Sequence, residues 1–240
     1  MIDGSLPLTG ERTVPGVWHE NYWYRRHEAA YRFLLPYAGV RSLLEVGAGE
    51  GYGAALFAAV AERVVAIDYD GSVVRHAARR YGGPAFVQAN VAALPLGDET
   101  FDVVAALQVI EHIWNQPQFL AECRRVLRPR GTLLVTTPNR LTFSPGGTAP
   151  GNPFHSHEFT AAELSGLVNT CGFAQVEVLG VHAGPRLAKH GAFVAAQLAA
   201  PPGEWSAELA QRVAAVRARD FVITRSSPDT ALDLVVVAGV

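Results

Sequence analysis

The segment Leu43-Leu44-Glu45-Val46-Gly47-Ala48-Gly49-Glu50-Gly51-Tyr52-Gly53 limits the folds open to this chain more than any other. An apolar run of strand length passes directly into a loop with glycine at every second position. Glycine has no Cβ, so a ligand can approach such a loop closely. In an open parallel α/β sheet, ligands bind outside the carboxyl ends of the strands, near the point where strand order reverses. Asp68 ends the next apolar run, at about the 20-residue spacing where an acid reaches a ribose hydroxyl.

The rest of the chain repeats this rhythm. Apolar runs at 42–46, 63–67, 85–88, 101–107 and 132–136 alternate with helical patterns at 51–61, 72–80 and 117–127. Continuous apolar strands separated by helices imply a mostly parallel sheet covered on both faces. Further on come a helix at 161–171, a strand at 175–181, a helix at 205–219 and a last strand at 232–238. The expectation is an α/β fold with seven strands. Residues 1–36 form a helical N-terminal cap or lid, and 37–240 form the main domain. Two additions interrupt that domain, a Pro/Gly-rich loop at 138–157 and an insertion at 182–204.

Hydrophobic residues make up 49% of the 240, enough for a sizeable core. The net charge of −2 offers no general attraction to nucleic acid. No apolar run is long enough to span a membrane, and residues 1–13 lack a signal-peptide pattern, so a cytoplasmic location is expected. Cys123 and Cys171 are too few for a disulfide framework and read as free thiols.

Up to this point any adenosine cofactor fits. Three details favour S-adenosylmethionine over a dinucleotide. The glycines follow G-x-G-x-G-x-G, not G-x-G-x-x-G. Glu45 places an acid just before the loop, which would repel a pyrophosphate and suits a sulfonium cofactor carrying an ammonium group. Asn90 and Val91 follow the third strand, where a polar side chain can meet an adenine edge. No Tyr-x-x-x-Lys pair supports a nicotinamide oxidoreductase, since Lys189 has Pro185 four residues earlier.

Residues 42–140 resemble the class I S-adenosylmethionine-dependent methyltransferases, through LLEVGAGEGYG, VVAIDYD, VQANVAALPL, FDVVAALQVIEHI and VLRPRGTLLVTTPN. The resemblance implies a Rossmann-like fold whose last strand is antiparallel. It implies that Gly47 and Gly49 pass the methionine part, Asp68 binds the ribose and Asn90 the adenine. Tyr69 would then lie against the adenine, and Gln108 would face the methionine end. The flanks TGERTVP and ENYWYRRH, together with TPNRLTFSPG and NPFH, resemble an actinobacterial subgroup, the mycobacterial sugar 1-O-methyltransferases of methylmannose polysaccharide synthesis. That subgroup also includes enzymes of other glycans, such as the mycofactocin oligosaccharide. His157 and Phe159 depart from the variable residues expected there.

The resemblance therefore implies a small carbohydrate acceptor, methylated on a hydroxyl, with the 1-OH of a partly methylated mannoside as the leading candidate. A second copy of the chain is a candidate partner. A sugar hydroxyl is a poor nucleophile and calls for a base or a metal. His155, on the loop after the fifth strand, ranks first as base; His112, with Glu111 beside it after the fourth, ranks second. Glu111 with His112 or Gln108 is the candidate set for Mg²⁺. In the N-terminal segment Tyr22 and Arg26 are candidates for the cofactor site, Arg26 as a clamp on its carboxylate. A non-sugar natural product as acceptor and a non-catalytic binding module remain as alternatives.

Overall fold

The computed structural model describes residues 6, 12–146, 150–189 and 193–240. Most of the first eleven residues of the expected cap, with Thr9-Gly10-Glu11, lie outside that set, as do parts of the 138–157 loop and the 182–204 insertion.

After helix α1 (Asn21–Ala38), the chain alternates β1 (Ser42–Val46), α2 (Tyr52–Ala58), β2 (Arg63–Asp68), α3 (Gly71–Arg80), β3 (Ala85–Gln88), β4 (Phe101–Leu107), α4 (Gln116–Val126) and β5 (Leu127–Pro138). The rest holds α5 (Arg140–Phe143), α6 (Ala161–Thr170), β6 (Ala174–Ala183), α7 (Pro185–Ala188), α8 (Phe193–Leu198), α9 (Ala207–Ala215), β7 (Phe221–Thr224) and β8 (Asp233–Gly239). The sheet order is β3-β2-β1-β4-β5-β8-β6-β7. Strands β1 to β5 pair in parallel; β8 is antiparallel to both β5 and β6, and β7 is antiparallel to β6. Order reverses between β1 and β4, which places the switch point directly beside the glycine loop.

Among the described residues the sheet has eight strands rather than the seven expected. The extra one is β7, only four residues long at the sheet edge, with Val222 exposed. The helix expected at 205–219 stops at Ala215 to make room for it. The fifth strand also starts earlier than expected, at Leu127. Its pairing skips from Phe101↔Leu127 to Val103↔Thr132, so Pro129, which cannot donate to a ladder, falls in the irregularity.

Strand alternation divides the core between the two faces. Leu44, Val46, Val104 and Ala106 pack with Phe119 and Leu120 of α4 and Leu164 of α6. Leu43, Val103 and Ala105 pack on the other face with Leu34 of α1, Phe57 of α2 and Val213 of α9. Side-chain caps set the helix starts near the switch point: Asp70 accepts from Ser72 N–H, and Asn115 accepts from Gln118 N–H. Helix α6 begins with a Thr160/Glu163 capping box. Among the described residues no helix is long and apolar enough to cross a membrane. Cys123 and Cys171 are free.

Candidate functional site

A cavity of about 940 Å³ opens at the carboxyl ends of β1, β2 and β4. The glycine loop forms its floor, with Gly47, Gly49 and Gly51 all at positive φ (76°, 50° and 87°). Asp68 fixes the loop: Oδ2 accepts from Gly49 N–H at 2.9 Å and Oδ1 from Asp70 N–H at 3.0 Å. Burial raises the pKa of this carboxyl, while the two backbone donors oppose that rise. Tyr69 stands 62% exposed on the rim. Asn90 and Val91 line the same wall, with Asn90 Oδ1 accepting from Ala92 N–H at 2.9 Å. Gln108 closes the far end. It sits at φ 58° and donates from Nε2 to Thr136 Oγ1 at 3.1 Å. The expected residues Gly47, Gly49, Asp68, Tyr69, Asn90, Val91 and Gln108 thus share one cavity wall.

Glu45, Tyr22 and Arg26 do not line that cavity. Alternation along β1 puts Glu45 on the α1–α2 face with Leu43, not toward the loop. There it is fully buried and accepts from Tyr31 O–H at 2.7 Å; desolvation pushes its pKa up to about 8. Tyr22 is buried edge-on against Trp23 and Phe221. Arg26 is 3% exposed and donates from Nη2 to Asp233 Oδ1 at 2.7 Å, so its charge is already matched inside the protein.

Residues not assigned a role from sequence take these places. Arg12 and Thr13 form a strap across the cavity. Thr13 Oγ1 lies 3.1 Å from Tyr52 Oη and 3.4 Å from His27 Nδ1. Burial and the neighbouring Arg26 lower the His27 pKa to about 3, so this imidazole is neutral at physiological pH. The strap's sequence signal was the TGERTVP stretch, which carries no spacing that reveals its role.

A second cavity, of about 540 Å³, adjoins the first and shares Arg12, Thr13, His27, Gln108, His112 and Phe154 with it. Its wall mixes aromatic Trp23, Phe143 and Phe154 with polar Glu20, Thr142 and Asn152, and with apolar Val194, Leu198 and Leu232. The expected catalytic residues converge here. Glu111 and His112 sit on a 3-10 turn after β4. Ser156 clamps the distant 150s loop onto that turn, donating from N–H to Glu111 O at 2.6 Å and from Oγ to Ile113 O at 2.6 Å. His112 and His155 then meet edge to face at 5.0 Å. His112 Nδ1 donates to the Phe154 carbonyl at 3.0 Å. His155 Nδ1 pairs at 2.8 Å with Glu158 Oε1, both side chains almost fully buried. That pairing orients the His155 ring, with Nδ1 toward the carboxylate and Nε2 on the opposite edge. Glu158, absent from the sequence reading, also accepts from Gly151 N–H at 3.0 Å. His157 turns aside to pack on Phe159.

Glu111 is buried, accepts from Thr137 O–H at 3.0 Å, and has its pKa pushed up to about 8 by desolvation. Ligating atoms of Glu111, His112 and His155 all lie within 4.8 Å of one another. Two imidazoles and one carboxylate suit Zn²⁺, Fe²⁺ or Mn²⁺ better than Mg²⁺, which prefers oxygen ligands. Gln108, the other Mg²⁺ ligand considered from sequence, is turned toward Thr136.

A family profile described as a methyltransferase domain matches residues 44–135. A probable S-adenosylmethionine-dependent methyltransferase of Mycolicibacterium smegmatis is 49% identical over 99% of this chain and 96% of its own length. One from Mycobacterium tuberculosis is 48% identical over 97% of this chain and 89% of its own. Among solved structures, a methyltransferase from Thermotoga maritima, titled a possible histamine N-methyltransferase, superposes with a TM-score of 0.62 at 18% identity, covering 91% of this chain and 93% of that one. At that identity the likeness concerns the fold alone.

Proposed function

Because the chain belongs to the S-adenosylmethionine-dependent methyltransferases, we propose that it is a cytoplasmic enzyme that methylates a sugar hydroxyl, the 1-OH of a partly methylated mannoside being the leading acceptor. The observation that carries this reading is the second cavity. It adjoins the cofactor cavity, has room for one or two sugar units, and pairs aromatic faces with hydrogen-bonding groups. Aromatic rings cover the C–H faces of a sugar, while Glu20, Thr142 and Asn152 suit its hydroxyls.

In this reading Asn90, Asp68 and the glycine loop would hold S-adenosylmethionine, which would supply an electrophilic methyl group at the wall that the two cavities share. The acceptor oxygen attacks the methyl carbon in line, forming the C–O bond as the C–S bond breaks. The thioether of S-adenosylhomocysteine leaves neutral. His155 Nε2 takes the hydroxyl proton, and Glu158 stabilises the imidazolium that results. Glu111, its pKa pushed up to about 8 by burial, lines the acceptor cavity beside His112 and His155. The Arg12–Thr13 strap and α1 act as the cover that excludes water.

A metal-assisted version is favoured by one observation, the converging Glu111, His112 and His155. A divalent ion there would lower the pKa of the acceptor hydroxyl and orient it. A non-sugar natural product is favoured by the apolar side of the cavity at Val194, Leu198 and Leu232.

The test is incubation with labelled S-adenosylmethionine and a panel of manno- and gluco-oligosaccharides, free and partly methylated, with and without excess EDTA. Turnover of a mannoside supports the leading reading. Turnover of a gluco-oligosaccharide alone points to another glycan, and label transfer only to an apolar aglycone overturns the sugar assignment. Full activity in EDTA excludes a required metal.

A further inference from the structure

We propose that Glu20 selects the acceptor, its carboxylate taking two neighbouring hydroxyls of the sugar away from the oxygen that is methylated; the role rests on the sugar reading above. Glu20 ends the short turn before α1 and lines the second cavity but not the first. It therefore stands off the wall that the two cavities share, where the methyl group is transferred. Trp23 and His27 follow three and seven positions on and line the same cavity, so one stripe along the start of α1 faces the acceptor. The Trp23 ring is held in place by the Arg26 guanidinium, 4.9 Å from its centre, and by the edge-on Tyr22 ring. A ring for the C–H surface of a sugar thus stands one helical turn from a carboxylate for its hydroxyls.

The other polar side chains of this wall are engaged within the protein. Thr142 Oγ1 donates to Ala231 O at 2.6 Å, and Asn152 Oδ1 accepts from Phe154 N–H at 3.0 Å. Glu111 accepts from Thr137, Gln108 donates to Thr136, and Thr13 meets Tyr52. Among the described carboxyl, hydroxyl and amide side chains lining the cavity, Glu20 alone makes no hydrogen bond to the protein. Yet it is half-buried, and burial raises the pKa of its carboxyl, opposed only by the charge of His19 beside it. Drawing a carboxylate partly out of water without a partner costs free energy that a ligand's donors recover. An ionised carboxylate only accepts, through two oxygens. Two adjacent hydroxyls match that demand, whereas an ether or an apolar group does not. Arg12 and Arg26 on the same wall disfavour a cationic acceptor.

Initial rates at saturating S-adenosylmethionine test the role, with a mannobiose, free or partly methylated, and its monodeoxy analogues as acceptors for the wild-type chain, Glu20→Ala and Glu20→Gln. Glu20→Ala is expected to raise the KM of the parent disaccharide by about 10–100-fold. Its kcat should change by less than about threefold, because the contact is made equally before and during methyl transfer. Removing a hydroxyl that Glu20 reads should raise the wild-type KM by at least about tenfold and leave the Glu20→Ala KM unaltered, since groups in direct contact are not additive. Removing any other hydroxyl should cost the two chains alike. Glu20→Gln keeps one acceptor oxygen and is expected to fall between them. Calorimetry with S-adenosylhomocysteine should give wild-type affinity in both variants, which shows that they are folded. An unchanged KM in Glu20→Ala, a loss carried by kcat, deoxy costs that add at every position, or an equal loss of S-adenosylhomocysteine affinity overturns the proposal and leaves the sugar reading standing. A wild-type chain that turns over no sugar removes that reading, and the role of Glu20 with it.

Discussion

At the scale of single residues, His155 depends on the carboxylate behind its ring. Glu158 at 2.8 Å keeps the proton on Nδ1, so Nε2 is the basic nitrogen. Replacing His155 with Ala should lower kcat by about 10²–10⁴-fold with S-adenosylhomocysteine affinity unchanged. Replacing Glu158 with Gln lets an amide N–H face Nδ1 and favours the wrong tautomer, as in other carboxylate–histidine pairs. A smaller loss of kcat, at least about tenfold, is expected there. A Glu158→Gln enzyme with wild-type kcat would remove the dyad. His27 leads to a different measurement. Its pKa of about 3 in the fold lies below its ordinary value of 6.5, so the unfolded chain binds the proton more readily. Its contribution to stability is complete above pH 6.5 and is lost as pH falls from there through about 3. A His27→Gln variant should therefore lose less melting temperature than the wild type over that acid range. Parallel curves would show that His27 is not the group responsible.

At the scale of elements, the glycine loop divides into a part that serves the ligand and a part that serves packing. Gly49 is at φ 50° with nothing within 4 Å of an added Cβ, and it lines the cofactor cavity. Gly49→Ala should cost about 1 kcal/mol of stability through the left-handed backbone alone, yet weaken S-adenosylhomocysteine by at least about tenfold by entering its space. Gly51 caps α2 at φ 87°, and an added Cβ would lie 2.7 Å from Ala77 Cβ and 3.0 Å from the Tyr81 ring. Gly51→Ala combines backbone strain with overpacking, about 2–4 kcal/mol in all, or a fall of roughly 5–15 °C in melting temperature. Equal losses of stability in the two variants, with binding unaltered in both, would refute this division. The same contrast shows what a sequence reveals. The parallel strands were legible because each is a continuous apolar run ending in a turn. The edge strand β7 was not, because four residues with polar neighbours on both sides carry too little pattern. Glu45 was recognised as unusual but given the wrong neighbours, since period-two alternation says that faces differ and not which face meets the ligand. Glu158 and the strap could not be found at all. Glu158 meets His155 and Gly151 within seven residues but in no spacing that a sequence marks, while the strap's partners His27, Tyr52 and Asp70 lie 14 to 58 residues away and are brought near only by the folded chain.

At the scale of the whole molecule, one buried ion pair joins the beginning of the fold to its end and both to the reaction site. Arg26 on α1 and Asp233 at the start of β8 are 207 positions apart and 4% and 2% exposed. Gln108, which borders both cavities, also favours the charged form of the Asp233 carboxyl. The pair thus anchors the covering helix to the sheet while setting the residue that faces the methyl group. Removing one member of such a pair leaves the other charge buried and uncompensated, at about 3–5 kcal/mol, whereas removing both spares most of that penalty. Arg26→Met should therefore lower the free energy of urea unfolding by about 3–5 kcal/mol, and the double variant Arg26→Met/Asp233→Leu should regain a large part of it. Activity should not return with stability. Gln108 keeps Thr136 but has lost the Asp233 carboxylate beside it in the double variant, so kcat should stay depressed although the chain is folded. A double variant no more stable than Arg26→Met would show that the α1–β8 junction depends on packing and not on charge pairing. One that recovers both stability and wild-type kcat would break the proposed link from Asp233 through Gln108 to the site.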